Sequence, residues 1–459
     1  MSAGESRSEF IRRLRDDDRN YLWHPFTQMK DYEREEPLII ERGEGSYLID
    51  MEGRAYLDGV SSLWVTLHGH RKKALDEALR AQLDRVAHTT LLGISNVPAI
   101  ELACRLVQVS PPGLKRVFYS DSGATAVEIA LKMAFQYWQL KGRPEKRRFL
   151  SFTNAYHGDT LGAVSVGGIP LFHGIFHPLL FEALQATAPY CYRCPLEKTY
   201  PECGIACLEE LERILQTRHQ EIAALIAEPL IQGAAGMIVF PPGTLKRIAD
   251  LCRRFGVLLI VDEVATGFGR TGRMFACEHE AVSPDLMTVA KGLTGGYLPL
   301  AATLATEEIY RAFLGEYHEF KSFFHGHTYT GNPLACAVGL ANLDLFEQER
   351  TLDHLQGKIE RLETGLSRFR QIPWVGDVRQ LGFMAGMELV RDPGTKEEFP
   401  AQEKVGIRII QEARRRGVVL RPLGNVIVLM PPLSITETEL DQLLQVTYDS
   451  IQSVLGGTR

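Results

Sequence analysis

The chain reads as an α/β protein on a mostly parallel sheet, followed by a smaller α+β part. Three observations predict this. From residue 98 to about 346, short apolar runs alternate with segments of helical periodicity, the pattern of strands joined by helical crossovers. The run at 257–261, VLLIV, is apolar at every position, as in a strand buried on both faces. After residue 348 the alternation ends. A helix at 351–370, strands within 377–389, a helix at 405–416 and short strands near Val418 and Val426 follow.

In chain order, the part up to Leu67 predicts strands and turns. Gly43, Gly45 and Gly53 punctuate short alternating runs such as SYLID at 46–50, a meander signal. WHPFTQM at 23–29 reads as an aromatic loop before it. SSLWVTLHGH at 61–70 leads into a helix at 71–85. Strands are expected at 116–119, 148–152, 225–228, 257–261 and 286–290, with a helix at 124–140.

Composition excludes several classes. With 459 residues the chain can form two or more domains. A formal charge of −6 argues against nucleic acid as a main partner. The first twenty residues hold no apolar core of signal-peptide length, and no apolar run reaches membrane-spanning length. A cytoplasmic protein with no membrane partner is expected. Disulfides are then disfavoured. Cys191, Cys194, Cys203 and Cys207 form a C-x2-C-x8-C-x3-C cluster in a loop-like stretch. It reads either as a structural zinc site or as four free thiols on a surface excursion, and the second reading is adopted, with no metal.

The chemistry centres on residues 256–296. The 257–261 run ends in Asp262 and Glu263, at the strand end where open α/β sheets bind ligands. The run at 286–290 delivers Lys291 into a glycine-rich turn. A lysine closing an apolar strand has no structural purpose, and once desolvated it can form a Schiff base. An imine-forming lysine and an acid for a pyridine nitrogen are what pyridoxal 5'-phosphate requires. Singly, each residue has a plain reading, a loop cap and a solvent-reaching amine. GFGRTG at 267–272 satisfies GxGxxG, but no helix start follows and the next strand ends in lysine rather than an acid, so a dinucleotide site is rejected.

Other strand ends add to this edge. SDSGAT at 120–125 joins a strand to a helix, and the backbone N–H groups of Gly123 and Ala124 can hold a phosphate. Within that helix, Glu128 and Lys132 are expected to form an exposed pair. NAYHGD at 154–159 offers Tyr156 or His157 as a ring to stack on a flat cofactor. Glu228 opens EPLIQG after another strand, so Ser120, Asn154, Glu228 and Asp262 all stand at strand ends. FHGHTYTGNP at 324–333 offers the hydroxyls of Thr328 and Thr330, and Arg421 offers a fork for a carboxylate.

The motifs WHPFTQM, SSLWVTLHGH, FYSDSGATAVEIALKMAFQYW, AYHGDT, EPLIQG, VDEVATGFGRTG, AKGLTGGYLPL, FHGHTYTGNPLACA and RPLGNVIVLMPPL run from Trp23 to about Pro432. Through them the chain resembles the class III aminotransferases, fold type I pyridoxal-phosphate enzymes, and most of all the subgroup that serves biotin synthesis. The resemblance implies a large cofactor domain at 68–346 around a seven-stranded sheet, and a small domain made of 1–67 and 347–459. It implies that Lys291 links to the cofactor and moves the proton, that Asp262 pairs with the pyridine nitrogen and that Tyr156 packs on the ring, oriented by Asp159. Gly123 and Ala124 would hold the phosphate, with His327 and Thr328 contributed by the other subunit of a homodimer, and Glu228 would join the cofactor site. Phe26, Leu63, Trp64, Tyr156, Gly326 and Lys291 would line the substrate tunnel, with Arg421 on the acceptor's carboxylate. The implied acceptor is 8-amino-7-oxononanoate and the implied donor S-adenosylmethionine. Leu63 stands where the subgroup carries tryptophan, Phe26 where it carries tyrosine, and Ala124 where it often carries serine. The first two changes open lysine as the donor. An ω-amino-acid:pyruvate or 4-aminobutyrate aminotransferase is the alternative within the class. A related aminomutase, or a catalytically inert cofactor- or metal-binding protein, lies outside it.

Overall fold

The computed structural model describes residues 5–456. At its centre is a seven-stranded sheet in the order Leu114–Ser120, Ala301–Thr306, Leu286–Val289, Leu258–Asp262, Ile222–Ala227, Arg148–Phe152, Leu184–Ala186. Every adjacent pair is parallel except those made by Ala301–Thr306, which is antiparallel to both neighbours. The Leu258–Asp262 strand is buried at each position. Its Leu259 and Val261 enter one core and its Leu258 and Ile260 the other, so helices cover both faces of the sheet. That two-sided burial is why Leu258 to Val261 are all apolar.

The Gly123–Leu140 helix crosses one face, packed on the central strands. Pro333–Gln348 packs against Lys73–Leu83 and Val97–Val109. The expected meander is present as Ile40–Glu44, Tyr47–Asp50 and Ala55–Asp58, and Val418–Val419 adds a fourth strand parallel to Ala55–Asp58. Beyond it, Val375–Leu381, Met384–Asp392, Val426–Leu429 and Arg421–Leu423 form a separate antiparallel sheet.

Two expectations need correction. A helix at Arg7–Tyr21 precedes the meander, and none of its residues is buried. It lacks an apolar stripe; a Ser6–Glu9 capping box and ion pairs such as Arg13–Asp17 and Arg7–Glu41 hold it instead. The Glu128–Lys132 pair does not form. Glu128 Oε1 accepts from the Gly162 and Ala163 amides at 2.7 and 3.2 Å, capping the helix that starts there, while Lys132 Nζ reaches His325 Nδ1 at 3.0 Å. Two unpaired helix-start amides are a better partner for a carboxylate than an exposed ammonium. Among the described residues, no helix is long and apolar enough to cross a membrane.

Candidate active site

Because the central strands run parallel, their carboxyl ends lie along one edge of the sheet. There the chain encloses a cavity of about 750 Å³. Asp262, at the end of its strand, is only 4% exposed. Its Oδ1 accepts from the Val264 amide and the Thr288 hydroxyl, both at 3.1 Å, and its Oδ2 lies 2.7 Å from His157 Nδ1. Three hydrogen bonds thus fix a carboxylate in the cavity wall.

Lys291 enters the same wall from the neighbouring strand. Its Nζ lies 4.9 Å from the centre of the Trp64 ring, and no described residue hydrogen-bonds or ion-pairs with it. Burial pushes the ammonium pKa below its usual value, against the opposing pull of Asp262 and Glu228. A buried amine that holds its proton less tightly, with no hydrogen-bond or ion-pair partner among the described residues, can attack a carbonyl.

Glu228 follows the Ile222–Ala227 strand and accepts from the amides of Tyr156 at 3.1 Å and Gly233 at 3.0 Å. Burial raises its carboxyl pKa to about 7, although the His157 charge opposes this. Glu228 therefore fixes the backbone at Tyr156. The Tyr156 hydroxyl donates to Asp159 Oδ2 at 2.7 Å. His157 is engaged with Asp262, which leaves Tyr156 as the ring able to stack on a flat ligand.

Elsewhere in the wall, Ser122 caps the Gly123–Leu140 helix through the Thr125 amide, and Gly123 and Ala124, which open that helix, line the cavity. A Cβ on Gly123 would lie 2.5 Å from Val264 Cγ1, so only glycine fits. Gly158, at φ +116°, lets the Tyr156 turn abut the helix start, where a Cβ would meet Ala124 Cβ at 2.4 Å. This tight helix start is a cradle for an anion.

Phe26, Leu63, Trp64 and Arg421 also line the cavity. Arg421 is half-buried, burial lowers its guanidinium pKa, and no described residue pairs with it. Backbone strain collects here: Phe26, Trp64 and Lys291, all in the cavity wall, have φ between +45° and +64°. Such conformations cost about 1–3 kcal/mol each and persist where surrounding structure over-determines them, often at ligand sites.

Ser120 and Asn154 stand at strand ends, as read from the sequence, but outside the cavity wall. Gly326, His327 and Thr328 also lie outside their own chain's cavity; Gly326 and Thr328 are exposed, and His327 Nδ1 is 2.5 Å from Asp121 Oδ1. Sequence reasoning missed Phe172 and Ala234 in the wall and Thr288 behind Asp262. None carries a motif, and Phe172 lies in an apolar stretch without a period. Cys191, Cys194, Cys203 and Cys207 do come together around one small pocket, as free thiols. Burial raises the Cys191 thiol pKa, and that of Cys207 to about 11. Among the described residues, no three His, Cys, Asp or Glu are arranged to hold a metal.

The donor set fits pyridoxal phosphate. An unpartnered amine, a fixed carboxylate, an aromatic ring and a pair of helix-start amides line one cavity. The family model described as aminotransferase class-III matches residues 29–451. The adenosylmethionine-8-amino-7-oxononanoate aminotransferase of Geobacter sulfurreducens is 59% identical over 97% of this chain and 98% of its own. The crystal structure of the enzyme of that name from Methanocaldococcus jannaschii superposes with a TM-score of 0.92 at 48% identity, covering 96% of this chain and 99% of that one. An (S)-enantioselective omega-transaminase from Thermomicrobium roseum gives 0.92 at 40% identity, covering 97% of this chain and 98% of that one. The chain belongs to the class III aminotransferases, pyridoxal-phosphate enzymes of fold type I.

Proposed function

We propose that this aminotransferase converts 8-amino-7-oxononanoate to 7,8-diaminononanoate, a step of biotin synthesis. The observation that carries the reading is one cavity with an unpaired amine at Lys291, an unpaired guanidinium at Arg421 and an apolar wall that includes Phe26, Leu63 and Trp64. A keto acid with a long methylene chain matches that layout, and the names of the relatives support it.

When bound, pyridoxal phosphate supplies a ring that accepts the electrons left on the substrate carbon as its proton departs. Lys291 Nζ takes and returns that proton, its amine kept available by burial. Asp262 would pair with the ring nitrogen and favour its protonated form, Tyr156 would pack on the ring, and Gly123 and Ala124 would hold the phosphate. Arg421 takes the acceptor's carboxylate, and Glu228 keeps Tyr156 in place.

The relatives' names support S-adenosylmethionine as donor. Phe26 and Leu63 support lysine, because Phe26 offers no hydroxyl to a donor's polar end. Steady-state rates with each donor, with 8-amino-7-oxononanoate fixed as acceptor, on wild type and Phe26→Tyr, test both halves. No turnover of this acceptor with either donor would end the reading. The omega-transaminase match keeps an ω-amino-acid enzyme as a second reading, which faster turnover of 4-aminobutyrate with pyruvate would favour.

The active form is a homodimer in this proposal, with Gly326, His327 and Thr328 reaching the partner's site. Trp23, Leu92, Tyr317 and Phe324 are each 73–93% exposed, apolar surface that a second copy would cover. Full activity in a monomer, followed by sedimentation, would contradict this. The grouping of 1–67 with 347–459 against 68–346 is supported by the sheet that joins Ala55–Asp58 to Val418–Val419.

A further inference from the structure

We propose that Phe172 is a specificity-determining residue, which with Phe26 forms an apolar wall selecting acceptors with a long unbranched methylene chain. This rests on the aminotransferase reading above.

The Phe172 ring meets Phe26 edge-on, centroids 5.4 Å apart at 72°, and meets Tyr156 edge-on at 6.3 Å and 86°. Both are favourable aromatic geometries, and all three rings line the cavity. Tyr156 belongs to the cofactor side of the site. Phe172 therefore joins the reacting region to the Phe26 loop.

Phe172 is held in place. Its segment exchanges backbone hydrogen bonds with the turn after Arg148–Phe152: Asn154 N–H donates to Gly168 O at 2.9 Å and Gly168 N–H to Ala155 O at 2.7 Å. Gln185 Nε2 donates to Gly167 O at 2.8 Å. The next residue, His173, is buried and lies parallel to the Tyr156 ring. On the other side Phe26 sits at φ +50°, a strained conformation for a bulky residue. Two segments distant in sequence are thus fixed so that their rings touch.

A ligand whose reacting carbon lies at Lys291 and whose carboxylate meets Arg421 occupies the cavity that Phe26 and Phe172 line. Each methylene buried against those rings gains affinity, and a short keto acid has too few carbons to collect it. Selection by chain length follows, and truncating Phe172 should weaken it.

The test uses the cofactor-loaded enzyme as Phe172→Ala, Phe172→Leu, Phe26→Ala and the double variant Phe26→Ala/Phe172→Ala. For each, kcat/KM is measured with 8-amino-7-oxononanoate and with pyruvate, and cofactor content by absorbance. The long-over-short ratio should fall roughly 10-fold in Phe172→Ala, the scale of a lost hydrophobic contact, and recover in part in Phe172→Leu. The double variant should lose less than the product of the two single losses, since the rings form one contact. An unchanged ratio, or equal losses on both acceptors, overturns the proposal, and Phe172→Leu decides if Phe172→Ala does not fold. If wild type does not turn over 8-amino-7-oxononanoate, the functional reading fails separately. The same variants are then compared on 2-oxo acids from pyruvate to 2-oxooctanoate, where a flat wild-type preference or an unaltered one in Phe172→Leu overturns the Phe172 proposal.

Discussion

His157 Nδ1 lies 2.7 Å from Asp262 Oδ2, with the His157 side chain wholly shielded from solvent. An ionised carboxylate only accepts, so Nδ1 carries the hydrogen. Among the described residues the other ring nitrogen, Nε2, has no hydrogen-bond partner. The imidazole thus serves one residue, and it removes one of the freedoms by which Asp262 could turn out of the cavity wall.

His157→Leu should therefore retain the fold and lose catalysis. A hydrogen bond to a charged group contributes about 1.5–3 kcal/mol, so kcat/KM should fall roughly 10- to 100-fold. Steady-state kinetics with cofactor content measured in parallel check this. Wild-type rates would mean that Val264 and Thr288 suffice to hold Asp262.

Asp262→Asn should still bind cofactor and react far more slowly. An amide cannot keep the pyridine nitrogen protonated, so the electron sink weakens, by roughly 10²-fold or more. Near-normal turnover would place the ring-nitrogen partner elsewhere.

Lys291→Ala should abolish transamination, because among the described residues no other lysine lines the cavity. The amides of Gly123 and Ala124 remain, so free cofactor should still bind, weakly, as equilibrium dialysis would show. Turnover at the wild-type rate would exclude Lys291 as the proton carrier.

These residues were legible because they break their surroundings. Asp262 ends a uniformly apolar run and Lys291 one broken only by Thr288, and both runs are apolar because each strand feeds two cores. Gly123 was legible as part of a strand-to-helix turn. The Arg7–Tyr21 helix was not, since its stability lies in a cap and in ion pairs rather than in periodicity. Phe172 was not, because its meaning lies in contacts with Phe26 and Tyr156 that only the fold creates. Glu128 was misread because its partners, the Gly162 and Ala163 amides, lie far along the chain.

Glu228 makes stability depend on pH. Burial raises its folded-state pKa to about 7, above the unfolded value of about 4.3. Between those values the folded protein holds a proton that the unfolded chain has released, so stability falls as pH rises through the window. Glu228→Gln cannot titrate. The melting temperature of cofactor-free wild type minus that of the variant should fall from pH 4.5 to about pH 7 and level off above it. A difference that rises or stays flat across the window would show that Glu228 is ionised in the fold.

Arg421→Ala should raise the acceptor KM more than it lowers kcat. The guanidinium is half-buried, its pKa is lowered by burial, and no described residue neutralises it. Its charge is therefore available to a ligand, and the carboxylate of a long keto acid is the group the cavity otherwise leaves unmatched. That carboxylate lies at the opposite end of the acceptor from the reacting carbonyl, so its contact is the same in ground and transition states. Binding that is uniform in this sense appears in KM. Losing a charged hydrogen bond of about 1.5–3 kcal/mol should raise KM roughly 10- to 100-fold. Arg421→Lys should recover only part of this, since a single ammonium cannot supply the planar fork. An acceptor analogue with its carboxylate amidated should bind wild type and Arg421→Ala alike. If the amide analogue still discriminates between the two proteins, Arg421 shapes the cavity rather than binding the carboxylate. If KM stays at the wild-type value in Arg421→Ala, another cation receives the acceptor.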